Sequence, residues 1–324
     1  MVSPLYKFTF FVLFPAIVFM LDTRFSIPTY AQSASIGDQV CVPRSACYIG
    51  LGGRLNSINF GTQDVIAIGQ STITMTDSTG NPYVAAEGYA QGPDDANGGT
   101  PIYMDSVLTF SPSVELGYFQ HFAGSSSRLW GIKFTNDYFG ATSNIRDIRL
   151  PQVGEFNKRD PIEDPNAPFV TIEFTGNAVA VSAKTRMIDQ ISLRPYLGRS
   201  FRRGFVYVGG GPTVSYMRTE IQDLVGFADI NHRATEISGP PQDFMDSGWV
   251  WGGSAEVGVT YFLCRSWFLD CSYLFAITGD RTFNFSSTFE NENSPLGNLT
   301  GSLIGSSTWN AISQSFGIRL CRAF

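Results

Sequence analysis

The chain has 324 residues, a formal net charge of −6 and a mean hydropathy of +0.01. Its 33 Gly, 27 Phe and 13 Tyr against only 15% charged residues are unlike a typical cytosolic enzyme and suit a β-rich protein with an apolar exterior. Mild acidity without a basic run leaves no nucleic-acid footprint, and the length permits one or two domains.

Lys7 precedes an apolar run from Phe8 to Leu21. That run is shorter than the roughly 20 residues a helix needs to cross a bilayer. Thr29-Tyr30-Ala31 follows, with small residues where a signal peptidase cuts. Residues 1–31 are expected to be a cleaved signal peptide, leaving 32–324 as one domain. No later apolar run approaches the length of a spanning helix.

Beyond the leader the sequence alternates with a period of two, so successive side chains face opposite sides of a sheet. The first predicted strand, Cys47 to Phe60, puts Ile49, Leu51 and Leu55 on one face and Tyr48, Gly50, Gly52, Arg54 and Asn56 on the other. A Gly-rich polar stretch containing Asp94-Asp95 and Asn97-Gly98-Gly99 separates it from a second strand, Leu108 to Gln120. There Val114, Leu116 and Tyr118 oppose Ser113, Glu115 and Gly117. A tight turn at Ala123-Gly124-Ser125-Ser126 leads to a third strand, Leu129 to Phe139, with Trp130, Ile132, Phe134 and Tyr138 opposite Gly131, Lys133, Thr135 and Asp137.

A long excursion from Thr142 to Arg186 precedes the fourth strand, Met187 to Phe201. Pro195 removes one ladder donor there. The fifth strand, Phe205 to Tyr216, carries Gly209-Gly210-Gly211-Pro212, where a bulge or bend is expected. This glycine run lacks the Lys and helix of a phosphate-binding loop. After a third loop (Gln222 to Asp246) come a sixth strand, Trp249 to Phe262, and a seventh, Trp267 to Thr278. A fourth loop, from Glu290 to Ser307, leads to the eighth strand, Asn310 to Phe324.

Four long connections thus alternate with three short ones. The expected fold is all-β: an eight-stranded antiparallel transmembrane β-barrel with four long external loops. Closure leaves no unpaired edge in a solvent that cannot hydrogen-bond it. The pattern does not decide whether Ile66–Met75 and Phe169–Ala183 extend the wall above the membrane or raise the count to ten.

The charges support this assignment. Arg54, Lys133, Arg194 and Arg319, and likewise Glu115, Asp137, Glu256 and Asp270, all fall on the face away from the apolar residues. A lipid-facing Arg or Lys near mid-membrane costs roughly 2–4 kcal/mol. Asp189, Arg199, Arg218 and Arg322 break the pattern and are expected near strand ends. A turn centred on Gly124 would set Glu115 directly opposite Lys133. Because an eight-stranded lumen is narrow enough for side chains to fill, the eight inner charges are expected to pair and plug it. A selective channel or small pocket is the alternative.

Cys41, Cys47, Cys264, Cys271 and Cys321 leave at least one thiol without an intrachain partner. An oxidising compartment permits Cys41–Cys47 or Cys264–Cys321. Without CxxC spacing or a nearby His, no metal site is expected, and no cofactor.

In the last strand Phe316, Ile318, Leu320 and Phe324 share the apolar face. This ending, with Cys47-Tyr-Ile-Gly-Leu-Gly-Gly, Ser113-Val-Glu-Leu-Gly-Tyr, Val206-Tyr-Val-Gly-Gly-Gly and Ala255-Glu-Val-Gly-Val-Thr-Tyr, resembles the outer-membrane β-barrel family of opacity-type proteins, OmpA-like small barrels and bacterial surface antigens. Arg322 departs from the family pattern, which usually has an aromatic or aliphatic residue there. The resemblance spans residues 45–324 and implies a bacterial outer-membrane location, mobile surface loops that contact host or environmental ligands, and a C-terminal strand recognised by the barrel-assembly machinery. No soluble peptidoglycan-binding module is expected, because the sequence ends at the eighth strand, which distinguishes it from full-length OmpA-like proteins.

The expected function is therefore a structural, surface-interaction barrel with a plugged lumen. The alternative is a small passive channel for small or apolar solutes, which needs an open lumen or a lateral gap near Gly209–Pro212. An enzyme is not expected: His121 is placed beside a periplasmic turn and His232 in an external loop, neither with a strand serine beside it. Asp94-Asp95 and Glu290 to Glu292 are expected to be solvated loop charges.

Overall fold

The computed structural model describes residues 42–93, 99–230, 233–236, 238–291 and 297–324. The expected leader, Cys41, Asp94-Asp95, His232 and Glu292 lie outside them. The described residues form strands β1 (Ser45–Phe60), β2 (Gln63–Thr76), β3 (Pro82–Gln91), β4 (Gly99–Ile102), β5 (Val107–His121), β6 (Arg128–Arg159) and β7 (Phe169–Phe201). They continue with β8 (Gly204–Ile230), β9 (Arg233–Glu236), β10 (Gln242–Phe262), β11 (Trp267–Thr278), β12 (Arg281–Asn291), β13 (Asn298–Trp309) and β14 (Ala311–Ala323). No helix among the described residues is long and apolar enough to cross a membrane.

Eight strands close into an antiparallel ring in the order β1–β5–β6–β7–β8–β10–β11–β14, and β14 pairs back onto β1. The closing pair runs from Tyr48↔Ala323 to Phe60↔Ala311, with Phe324 N–H donating to the Cys47 carbonyl at 2.9 Å. Outside the ring a band of exposed apolar side chains includes Leu51, Leu55, Leu116, Phe134, Leu197 and Ile318. Aromatic residues bound it, with Trp130, Tyr261 and Trp267 on one rim and Phe110, Tyr138, Trp249 and Trp251 on the other. From Trp130 to Tyr138 a tilted strand rises roughly 20 Å, close to the apolar height of about 25 Å in transmembrane barrels.

The expected external loops are for the most part strand. β6 runs on from Phe139 to Arg159, on the order of 50 Å of added height. Its ladder with β7 extends from Arg128↔Arg199 to Arg159↔Phe169. β2 and β4 continue the line of β1 and β5, β12 and β13 that of β11 and β14, and β3 fills the space between β2 and β6. The strand count around the barrel stays at eight, and segments 66–75 and 169–183 become a raised outer barrel. Among the described residues the raised wall lacks ladder pairing between β4 and β6 and between β12 and the upper part of β10. At the β10–β12 seam Arg281 meets Asp246 at 2.6 Å, Ser287 donates to Gln242 at 2.6 Å, and the Phe244 and Phe285 rings lie 4.6 Å apart.

The raised barrel has an apolar interior, filled by Ile148, Met187, Met217, Phe244, Phe285 and Trp309 among others. Its outer face is polar, with Thr142, Asn144, Arg146, Asp147 and Arg149 exposed. That inversion of the membrane band below shows where the wall leaves lipid for water. It also corrects the positions of Asp189 and Arg218. Neither is near a strand end; Asp189 pairs with Tyr138 and Arg218 lies just above Tyr216, at the aromatic rim where water is within reach.

The expected bulge at Gly209–Pro212 is absent. The β8–β10 register is continuous there, and β7–β8 has the same register at Ser192↔Thr213 and Tyr196↔Gly209. The ladder is interrupted only between Leu193–Pro195 and Gly210–Pro212, where two prolines lack N–H donors. The strands stay in contact, since a Cβ on Gly211 would strike the Leu193 carbonyl. The register shift in β6 falls instead between Tyr138 and Ala141, around Gly140 at φ +58°.

Candidate functional site

The membrane part of the lumen is filled by two layers, each built from all eight strands of the ring. The upper layer is ionic. Each inner charge predicted from the sequence is buried: Arg54, Glu115, Lys133, Asp137, Arg194, Glu256, Asp270 and Arg319, none more than 3% exposed. They divide into two electrically neutral quartets. In one, Arg54 contacts Asp137 at 3.1 Å and Glu256 at 3.4 Å, while Arg194 reaches Glu256 at 2.9 Å. The other is a closed cycle in which Lys133 contacts Glu115 at 3.3 Å and Asp270 at 3.1 Å. Arg319 completes it, 2.9 Å from Glu115 and 3.2 Å from Asp270.

Neutral groups take up further donors and acceptors. Arg194 donates to Thr135 and Arg319 to Ser113, both at 2.9 Å, and Thr260 donates to Asp270 at 3.1 Å. Tyr207, on β8, supplies the one strand that carries no charge in this layer. Its hydroxyl accepts from Lys133 at 2.7 Å and donates to Asp270 at 2.9 Å. Charges this deep are tolerable only when paired and hydrogen-bonded.

One expected detail is different. Glu115 is not directly opposite Lys133; it pairs with Thr135, and Lys133 with Gly117. The turn closes two residues away from the expected register, and the long lysine side chain reaches Glu115 diagonally.

The lower layer is largely aromatic, a unit that strand periodicity alone does not reveal. Tyr48, Phe119, Tyr196, Phe205, Phe262 and Phe268 pack across the periplasmic end with Leu129 and Cys321. Ring centroids lie 4.9 Å apart for Phe262–Phe268, 5.2 Å for Tyr48–Phe268 and 5.3 Å for Phe119–Phe205. Strand parity places Phe119, Phe205 and Phe262 inside, but an inner-facing Phe next to a short turn resembles a girdle residue until closure brings the rings together.

The carboxylates of Glu115, Glu256 and Asp270 have ligand atoms within 4.8 Å of one another, a spacing that could hold a metal ion. Lys133, Arg54, Arg194 and Arg319 already neutralise them, so the donor set does not fit a cation. Cys47, Cys264, Cys271 and Cys321 are unpaired thiols. The Cys264–Cys321 bridge allowed by the sequence is thus not formed: Cys321 points into the lumen against Gly50, while Cys264 lies exposed in the β10–β11 turn.

A serine does lie beside His121, contrary to expectation. Ser200 Oγ is 2.7 Å from His121 Nε2, and His121 Nδ1 is 3.1 Å from the Arg44 carbonyl oxygen. The pair lies at the periplasmic rim, and a backbone carbonyl stands where a carboxylate would orient a catalytic histidine. Phe316, Ile318 and Leu320 face outward on β14, and Phe324, just past its end, is exposed as well.

No family model matches the chain, and no curated protein matches it. Among solved structures it is similar to the outer membrane protein OprG from Pseudomonas aeruginosa, with 12% identity over 87% of this chain and 98% of that one, TM-score 0.29. It is also similar to the outer membrane protease OmpT from Escherichia coli, with 9% identity, coverage of 89% and 99%, and TM-score 0.27. Ail, the attachment invasion locus protein of Yersinia pestis, gives 9% identity, coverage of 77% and 99%, and TM-score 0.19. Likenesses this distant carry no argument about activity. The apolar band, aromatic rims, closed ring and neutral charged lumen define the class on their own: an outer-membrane-type transmembrane β-barrel.

Proposed function

We propose that this outer-membrane barrel is a structural, surface-interaction protein whose lumen is sealed and whose raised outer barrel meets host or environmental surfaces. The observation that carries this reading is the double seal, an ionic layer of zero net charge above an aromatic layer, with all eight strands contributing to each. A conducting pore needs a continuous aqueous path. Every inner charge here is instead engaged by a partner of opposite sign.

The exterior supports the second half of the reading. A polar wall on the order of 50 Å high exceeds what is needed to cap a barrel, and the β6–β7 ladder that runs its full height presents a fixed surface. Outer-membrane lipid contacts the apolar band. The outward row Phe316, Ile318, Leu320 and Phe324 is proposed as the element recognised by the barrel-assembly machinery.

Planar-bilayer recording of the purified barrel tests the seal, with only closed traces expected. A shortened variant in which a two-residue turn replaces the β6–β7 hairpin above the cross-strand pair Ala141 and Met187 tests the surface role. Loss of binding to cells or matrix is expected, and undiminished binding would sink it. The chain is proposed not to be an enzyme, so a fluorophosphonate probe is expected to leave Ser200 unlabelled.

A further inference from the structure

A cavity of about 140 Å³ lies inside the raised barrel, away from both sealing layers. Its floor and walls are apolar: Phe156, Phe174 and Phe289 with Leu303, against Ala67, Ala90 and Ala178. Gln70, Glu87 and Asn177 also border it and are exposed, so it communicates with solvent.

The void arises from a local change of residue size. Lower in the same interior, inward positions hold Phe283, Phe285, Met217 and Trp309, which fill the barrel. At the cavity, facing strands present alanine and glycine instead. Gly69 is the clearest case. It follows Val65 and Ala67 on the inner face of β2, and a Cβ built there would meet nothing within 4 Å. The glycine is not required by backbone conformation, and what it leaves is room.

We propose that this cavity is a binding site for a small apolar molecule of the monocyclic aromatic class. An apolar cavity of about 150 Å³ walled by Leu, Ile and Phe stays dry and takes up benzene. The volume here is similar and the Phe and Leu walls are of the same kind, with Gln70, Glu87 and Asn177 at the opening to solvent. Three phenylalanine rings offer edges and faces to an aromatic guest. The filled core beneath makes the site a dead end, so a guest is held and not passed through. This goes beyond the surface-interaction reading and does not depend on it.

The test uses the full mature chain in lipid nanodiscs, titrated with fluorobenzene and followed by ¹⁹F NMR, with empty nanodiscs measuring partition into lipid. Saturable one-to-one binding is expected, with NOEs from the probe ring to the methyl groups of Ala90 and Ala178. Gly69→Leu and Ala90→Leu, which fill the void, are each expected to weaken binding at least tenfold. Leu55→Val, on the lipid face, is expected to leave it unchanged. Folding of each variant is checked by heat-modifiable gel mobility. If one void-filling variant fails to fold, the other and the NOEs decide. Uptake that never saturates above that of empty nanodiscs would overturn the proposal, as would wild-type affinity in a folded void-filling variant. NOEs to those alanines from lipid acyl chains, with no displacement by fluorobenzene, would assign the site to lipid and likewise overturn it.

Discussion

Tyr207 lies across Gly258, its direct partner on the neighbouring strand, and from that position its hydroxyl reaches both Lys133 and Asp270. A Cβ on Gly258 would run into the Tyr207 hydroxyl. The same relationship recurs twice, with Tyr48 across Gly117 and Tyr196 across Gly131, each again a direct cross-strand pair. Three inner glycines thus give three tyrosines room to lie flat against the wall inside a narrow lumen. Gly258→Val is expected to destabilise the barrel by about 1–3 kcal/mol through overpacking. Tyr207→Phe, which keeps the ring and loses the hydrogen bonds to charged groups, is expected to cost about 1.5–3 kcal/mol. Urea unfolding midpoints in lipid vesicles check both, and wild-type values for Gly258→Val would refute the packing argument.

The ionic layer makes a separate prediction. Among the described residues Glu256 is the only carboxylate in contact with Arg194, whereas Arg54 also has Asp137. Glu256→Gln is expected to cost about 3–5 kcal/mol because it leaves a buried guanidinium uncompensated. Replacing Arg194 and Glu256 together with Met should cost much less, since Arg54 keeps Asp137. A double-mutant cycle measures the difference; a double variant as unstable as Glu256→Gln would contradict the pairing.

At the β10–β12 seam side chains close what the ladder does not. The Arg281–Asp246 pair is partly exposed, so Asp246→Asn is expected to cost less than about 1 kcal/mol overall. Its effect should instead be local, with faster amide exchange in β12 and no change in β11, which stays paired to β10 and β14. Uniform exchange across both strands would show that the seam is not a separate unit.

The β2–β3 turn responds to acid. The Asp77 carboxylate accepts from the Thr79 hydroxyl at 2.7 Å, the Thr79 N–H at 2.8 Å and the Asn81 N–H at 2.9 Å. The Thr79 hydroxyl and then the Asn81 N–H hold its pKa below the usual 3.8. A depressed carboxylate favours the folded turn above its unfolded pKa, and that contribution disappears as pH falls through the lower folded value. NMR of the turn is expected to show its shifts unchanged down to about pH 4 and altered only below it. Loss of the turn near pH 6 would exclude this carboxylate as its organiser.

Much of the barrel was legible in the residues. Period-two alternation located every strand of the membrane ring, with β1, β5, β11 and β14 within about two residues of their ends. The cost of a charge in lipid identified all eight inner charges, because a strand has only two faces and one of them is excluded. Composition did not reveal the raised barrel. Its inner face mixes Ala178, Ala180 and Ala183 with Ile148 and Leu150, and its outer face is polar, so the contrast between faces is weaker than in the membrane band.

Sequence alone thus determined which face of each membrane strand meets lipid and which residues enter the lumen, since those follow from a local periodicity and a one-body desolvation cost. Tertiary structure decided which charge neutralises which, that aromatic rings from six strands meet in one layer with Leu129 and Cys321 from the other two, that Ser200 meets His121, and that the long connections zip into wall. These are properties of pairs of residues brought together across many intervening positions, and they depend on a register that closes only when the last strand meets the first.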